Sequence, residues 1–396
     1  MKLLVLLSRF PYPLDKGDKL RAYYQLRELA RQHEICLFAL SDEPVPAEAL
    51  AAVRPLCRGG LVLRRLRRPG IARGLAWALA SGRPLQVGYF HDAGAQRQVD
   101  GLLRDFRPDH VYCQLIRMAE YVRPHAGQLP MTLDYMDVFS AGMARRATQT
   151  PAWQRPVLAL EARRLLAYEG AAFDWFAHRT IISDQDRQLI DHPGRAAIEI
   201  VLNGIDTDYF QPQPEVAKPY EVLFCGNMSY HPNVDAACFL AEEIMPLVRR
   251  QCPGARLLVA GTTPAPRVQA LASAQVEISG WVPDIRAAYA SARVFAAPMR
   301  VGTGLQNKLL EAMAMELPCV TTPLANNALG GTDGRELRVG ADAPALASAI
   351  ADLLLEPKAA AELAGRGHAF VQRRYTWAGA TARLKALFGQ GAGSRG

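Results

Sequence analysis

The chain has 396 residues, a net charge of +8, half of its residues apolar and 21% charged, with 31 glycines and 27 prolines. That length fits two or three domains, and that composition excludes a disordered, collagen-like or low-complexity protein. No window approaches the ~18 consecutive apolar residues of a membrane span.

Leu3–Leu7 is a short apolar run without alternation, which predicts a strand buried on both faces. It is too short for a signal-peptide core and continues into Arg9, Pro11 and Asp15 rather than a small-residue cleavage site. A loop over 8–16 precedes a helix from Gly17, in which Leu20, Tyr23, Tyr24, Leu26 and Leu29 recur at helical spacing. Ile35–Leu40 is the next strand. The acid-free stretch from Arg54 to Arg73 then interleaves seven arginines with Leu61, Leu63 and Leu66. It lies in the more basic half: residues 1–200 hold 28 basic and 21 acidic side chains, residues 201–396 hold 18 and 17. Two readings stay open, a segment resting on an anionic membrane surface or a solvated loop and helix face. Nucleic acid is not an expected partner, because no aromatic side chains interleave with these arginines for base stacking.

Further strands are predicted at His110–Cys113, Met131–Asp134, Arg179–Ser183 and Ile198–Leu202, with a long helix over 153–178. The alternation restarts after the Pro-containing segment 211–219. Glu221–Cys225, Arg256–Ala260, Val276–Ile278, Arg293–Ala297 and Cys319–Thr322 read as strands with helices between, and Asn233 as the cap of a helix running to about Arg250. Such alternation means a parallel sheet covered on both faces, and two such units predict two Rossmann-like doubly wound domains facing each other. The expected division is a first domain over 1–200, a junction over 201–219, a second domain over 220–374 and a final helix and tail over 375–396. Ligands of such sheets sit at the carboxyl ends of the strands, which makes the cleft between domains the expected active site. The seven cysteines (Cys36, Cys57, Cys113, Cys225, Cys238, Cys252 and Cys319) form no Cys-x-x-Cys pair and read as reduced thiols in a cytoplasmic protein without structural zinc.

The sharpest chemical signal is Gly302-Thr303-Gly304-Leu305-Gln306-Asn307-Lys308-Leu309-Leu310-Glu311-Ala312-Met313-Ala314. Leu305, Leu309, Ala312 and Met313 make one apolar helix face behind a glycine-rich start. Unpaired N–H groups and the positive dipole end make such a start an anion site. Lys308 is misplaced there by the dipole alone, with no acid between Arg300 and Lys308, and a bound phosphate would offset it. Glu311, three residues on, lies on the same face and can accept two hydrogen bonds from a ribose diol; the same spacing also describes an ordinary surface Lys–Glu pair. Gly280-Trp281-Val282-Pro283-Asp284-Ile285-Arg286 is a turn into a short helix, and Asn203-Gly204 is a turn signal after a strand. Asp206 and Asp208 read as acids capping that turn rather than as metal ligands.

Together these segments resemble the retaining family 4 glycosyltransferases of GT-B fold, over nearly the whole chain. Asn203-Gly204-Ile205-Asp206, Gly280-Trp281-Val282 with Asp284, and Lys308-Leu309-Leu310-Glu311-Ala312-Met313-Ala314 carry the resemblance. Asp15-Lys16-Gly17-Asp18-Lys19-Leu20-Arg21 and Gln306-Asn307-Lys308 are similar to a narrower branch of bacterial sugar transferases associated with exopolysaccharide and PEP-CTERM/exosortase loci. The resemblance implies roles. Glu311 would hold the donor ribose, and Lys308 the diphosphate, helped by main-chain groups around Thr303, Gly304 and Leu305. Val282 would lie against the base, and Gly226 and Asn227 would border the donor. Gly17 would let the backbone approach the donor, as glycine has no Cβ, or is only a helix-start glycine.

Two departures stand out. The family's Glu-x7-Glu pattern has Thr303 where its first acid belongs, and the loop over 226–232 lacks the usual Arg and Lys. Charge on the diphosphate then falls to Lys308 and helix dipoles, without metal or other cofactor. The resemblance implies retention by same-face attack, with Lys308 assisting departure. Asp137, after the strand Met131–Asp134, is a candidate sugar or acceptor contact, or else a helix cap. The expected partners are a nucleotide-sugar donor, with UDP or GDP undecided, and a polysaccharide or lipid-linked acceptor; the expected place is the cytoplasm or the inner membrane face. The alternatives are a sugar-nucleotide epimerase on the same fold and an inactive nucleotide-sugar-binding protein.

Overall fold

A computed structural model describes residues 1–148, 150–301 and 305–390. The chain forms two compact units: Met1–Asn203 joined by the chain from Trp377 onward, and Gly204–Thr376.

The first unit is built on β1 (Lys2–Leu7), β2 (Glu34–Ser41), β3 (Gly60–Arg65), β4 (His110–Gln114), β5 (Met131–Asp134), β6 (His178–Ile181) and β7 (Glu199–Ile200). They form one parallel sheet in the order β3-β2-β1-β4-β5-β6-β7. The unalternated run of β1 has a direct cause. Leu3, Val5 and Leu7 join a buried cluster with Leu26 and Leu29 of helix Gly17–Leu29 and with Leu384 and Phe388 of helix Trp377–Gln390. Leu4 and Leu6, pointing the other way, enter a second buried cluster with Val99 and Leu165.

The arginine-rich stretch is more than a solvated loop and helix face. It contains a 3-10 turn (Arg54–Leu56), the edge strand β3 and the start of helix Arg68–Ser81. Leu61 and Leu63 pack on the core of the first cluster, and Leu66 is buried in the second. The leucines between the arginines therefore serve the protein interior and leave no apolar stripe for lipid. Arg54, Arg58, Arg65, Arg67, Arg68 and Arg73 stay exposed.

One buried charge pair orders the carboxyl edge of this sheet. Arg21 Nε donates to Asp134 Oδ2 at 2.7 Å, with both side chains fully buried. Tyr112 and Thr180 donate to the same carboxylate, at 2.7 and 3.0 Å. A second guanidinium nitrogen of Arg21 donates to Asn203 Oδ1 at 2.8 Å. Burying two charges is tolerable only when each is paired and hydrogen-bonded, as here.

The second unit is a six-stranded parallel sheet of β8 (Tyr220–Cys225), β9 (Leu257–Ala260), β10 (Val276–Gly280), β11 (Ala292–Ala297), β12 (Cys319–Thr321) and β13 (Arg338–Val339), in the order β10-β9-β8-β11-β12-β13. The helix after β8 begins at His231 with Tyr230 as N-cap, so Asn233 lies inside the first turn and is not the cap. That helix passes through a π turn, Leu240–Ile244, just before Pro246, whose missing N–H breaks the regular ladder. The two-residue strands β7 and β13 and the edge strand β3 are too short or too charged to show an apolar run, and sequence reading finds β7 only approximately and the other two not at all. No described helix is long and apolar enough to cross a membrane.

Candidate functional site

In the second unit the order of connection reverses between β8 and β11. Loops leaving two such neighbours diverge and open a crevice at the carboxyl ends of the strands. Here the crevice is a cavity of about 460 Å³, bordered by Cys225, Gly226, Asn227, Asn233, Gly261, Thr262, Trp281, Val282, Ile285, Leu305, Asn307, Lys308 and Glu311. That is room for a small-molecule ligand.

Two glycines let the loops close on each other at its floor. Gly226 has φ +155°, and a Cβ there would lie 2.7 Å from Asn233 Nδ2 and 3.3 Å from Lys308 Nζ. Gly261 has φ +138°, and a Cβ there would meet the Gly226 carbonyl oxygen at 1.8 Å. Neither position has room for a side chain.

Lys308 stands in the first turn of helix Asn307–Ala314, whose inward face is Leu309, Leu310, Ala312, Met313 and Ala314. The helix starts at Asn307 with Gln306 as N-cap, so Leu305 precedes it rather than sharing its apolar face. The Lys308 ammonium donates to Asn233 Oδ1 and lies 4.9 Å from the ring centre of Phe224. Asn233 in turn donates to the backbone oxygen of Asn227 at 2.9 Å. This chain of contacts fixes the position of the charge. Burial lowers the affinity of Lys308 for its proton, and the Glu311 carboxylate acts in the opposite sense. An anion in the cavity would supply the charge that the protein gives only in part.

Glu311, one turn deeper, accepts a hydrogen bond from the Tyr289 hydroxyl at 2.7 Å. The same hydroxyl lies 2.9 Å from Cys225 Sγ and 3.3 Å from the backbone oxygen of Lys308. Burial raises the pKa of Glu311, and the Tyr289 hydrogen bond and Lys308 counter that rise. Lys308 and Glu311 are thus held by different partners, Asn233 and Tyr289, which distinguishes them from an ordinary surface pair. The Cys225 thiol is pushed up to about 12 by burial, which makes it an inert wall of the cavity.

Of the residues proposed from sequence, Gly226, Asn227, Val282, Leu305, Lys308 and Glu311 border this one cavity. Asn227 turns its own side chain back on Ser229 and offers its carbonyl to Asn233. Thr303 and Gly304 lie outside the described residues. Beside Val282, Asp284 caps helix Ile285–Ala290 and is gripped by the Arg286 guanidinium at 2.7–3.0 Å, which holds its carboxyl down at about 2. Asp206 accepts from the backbone N–H groups of Asp208 and Tyr209, as a turn-capping acid does.

Gly17 and Asp137 belong to the first unit. Gly17 opens helix Gly17–Leu29, and a Cβ there would only touch Met136 Cε at 3.6 Å, so packing within the unit does not demand glycine. Asp137 is exposed after β5, and its Oδ1 accepts from Val138 N at 2.8 Å. Sequence reasoning missed Tyr289 and the role of Asn233. Tyr289 lies in an alanine-rich stretch with no charge of its own, and Asn233 carries a plausible capping signal that hides its use.

Residues 219–356 match the family model described as glycosyl transferases group 1. The chain is 29% identical over 217 residues to the GDP-mannose-dependent alpha-(1-6)-phosphatidylinositol monomannoside mannosyltransferase of Mycolicibacterium smegmatis, a match covering 48% of this chain and 56% of that protein. It thus spans little more than half the length of that relative. Among solved structures, the sucrose-phosphate synthase of Thermosynechococcus elongatus aligns with a TM-score of 0.67 at 16% identity, over 98% of this chain and 99% of that one. Anabaena Alr3699/HepE, in complex with UDP and glucose, aligns at 0.65 and 10% identity, over 98% and 99%. The fold is that of the GT-B glycosyltransferases, two doubly wound parallel-sheet units. Residues 219–356 are thus similar to that family, and the structural neighbours show the fold.

Proposed function

We propose that the chain is a glycosyltransferase that takes its sugar from a nucleoside diphosphate sugar bound in the cavity of the second unit. The observation that carries this reading is that one ammonium and one carboxylate, a helical turn apart and separately anchored by Asn233 and Tyr289, open onto the same 460 Å³ cavity. Lys308 and the backbone N–H groups at the start of helix Asn307–Ala314 meet the diphosphate. Glu311 takes the ribose diol, and Val282 lies against the base. Family match, the relative's GDP-mannose and the neighbour's UDP support this class of donor.

Transfer breaks the bond between the anomeric carbon and the terminal phosphate oxygen, and the electron pair leaves with the diphosphate. The acceptor oxygen bonds to the same face of the sugar, and its proton passes to the departing phosphate oxygen. The configuration is retained, and no protein base is required. The protein's contribution is position and charge: Lys308 and the helix amides stabilise negative charge as it builds. In this reading no metal is needed. Asp137 contacts the sugar or the acceptor, which is a polysaccharide or lipid-linked glycan of the bacterial cell surface or exopolysaccharide. The exposed arginines between Arg54 and Arg73 favour the anionic inner face of the membrane, where such an acceptor lies.

The test is transfer itself. The protein is incubated with labelled UDP- and GDP-sugars, with and without membrane extract. Label should move to the extract with one donor, and Lys308→Met should abolish it. A donor converted in the absence of extract would replace the reading with an epimerase, and binding without transfer would replace it with a binding protein.

A further inference from the structure

The first unit holds a second cavity, of about 390 Å³, at the carboxyl end of edge strand β3, where Arg64 leaves the sheet beside the start of helix Ala93–Phe106. Arg64, Arg73 and Arg97 border it, against one acid, Asp92. That acid is already engaged: its Oδ1 accepts from Arg64 Nη2 at 2.9 Å and caps the helix at the backbone N–H of Ala95, 2.8 Å away. Arg64 Nε, by contrast, is buried and has no hydrogen-bond partner. Three guanidiniums against one carboxylate leave two positive charges, which match the dianion of a phosphate monoester. One wall is flat and aromatic: His91 stacks on Trp77 with ring centres 3.9 Å apart and planes 9° apart. Gly94 leaves the space in which Arg64 lies, since a Cβ there would stand 2.4 Å from Arg64 Nη2.

We propose that this cavity is a phosphate-binding site, separate from the donor cavity, and that it takes a phosphate monoester carried on a sugar or on a lipid. The guanidiniums of Arg64, Arg73 and Arg97 bind the phosphate oxygens, and the Trp77–His91 wall packs against the carrier. That the bound group belongs to the acceptor rests on the transferase reading; the site itself does not.

The experiment uses the full chain carrying Lys308→Met, which removes phosphate binding in the donor cavity. Glucose 1-phosphate and inorganic phosphate are titrated calorimetrically. Both should bind, and Arg73→Gln with Arg97→Gln should weaken them about tenfold or more. Both arginines are exposed, so the fold should survive their loss. Arg54→Gln with Arg58→Gln removes the same charge outside the cavity and should leave the affinity within about twofold. Equal weakening by that pair, or no phosphate binding by the Lys308→Met chain, overturns the proposal. Co-sedimentation with phosphatidylcholine vesicles, with and without phosphatidic acid, separates the sources. Retention that needs both phosphatidic acid and the two arginines assigns a lipid carrier, and its absence beside a glucose 1-phosphate titration that needs them assigns a soluble one. If the donor reading is wrong, Lys308→Met changes no nucleotide-sugar binding, and the arginine result still stands.

Discussion

The hydroxyl of Tyr289, on helix Ile285–Ala290, donates to Glu311 at 2.7 Å. It favours the ionised form of the carboxylate against the effect of burial. Tyr289→Phe keeps the buried ring and removes only the hydroxyl. Affinity for the nucleotide sugar should fall about tenfold, the worth of one hydrogen bond to a charged group, while the thermal unfolding temperature moves by a few degrees at most. Calorimetric titration beside a melting curve checks both.

If Glu311 holds the ribose as proposed, its raised pKa sets an acid limit on donor binding. Protonation removes the charge that accepts from a ribose diol. Affinity should therefore decline on acidification beginning above the ordinary glutamate range, and Tyr289→Phe should move the decline to still higher pH. A series of dissociation constants against pH shows the inflection directly. An inflection in the ordinary glutamate range, unmoved by Tyr289→Phe, would remove Glu311 from the ribose contact.

The Arg21–Asp134 pair makes a separate prediction about stability. Asp134→Asn leaves the Arg21 guanidinium buried without its countercharge and should cost about 3–5 kcal/mol, seen as a lower urea midpoint for the first unit. Adding Arg21→Met should recover much of that loss, because a neutral pair removes the stranded charge. The recovery distinguishes charge burial from simple loss of packing.

Glu169 gives a pH signature in the same unit. It is fully buried, it accepts from Ser140 N at 3.1 Å, and its pKa is pushed up to about 7 by that burial. The folded state thus favours the protonated carboxyl. Its stabilising share is complete below the unfolded value near 4.5 and is lost as pH rises through about 7. Wild-type stability should fall over that window, and Glu169→Gln should flatten the profile there. Denaturant midpoints at several pH values provide the measurement.

Most strands were legible because both faces of each sheet are covered, so β1 and β8 read as plain apolar runs. The edge strand β3 was not, because one edge faces solvent and its arginines break the run, although Leu61 and Leu63 still point to the core. In the site, Lys308 and Glu311 were visible through their local spacing on one helix. Asn233 and Tyr289 were not, because their partners lie 75 and 22 residues away and only the fold brings them together. Arg21 has a role set by Asp134, 113 residues on, which no local pattern around it shows.

The proposed occupant of the cavity beside Lys308 and Glu311 is a nucleoside diphosphate sugar. The direct measurement is calorimetric titration of wild type, Lys308→Met and Glu311→Gln with a panel of UDP- and GDP-sugars. Saturable binding of at least one is expected, weakened about tenfold or more by each substitution while the fold persists. Binding by no member of the panel, or binding that both substitutions leave unchanged, would contradict it.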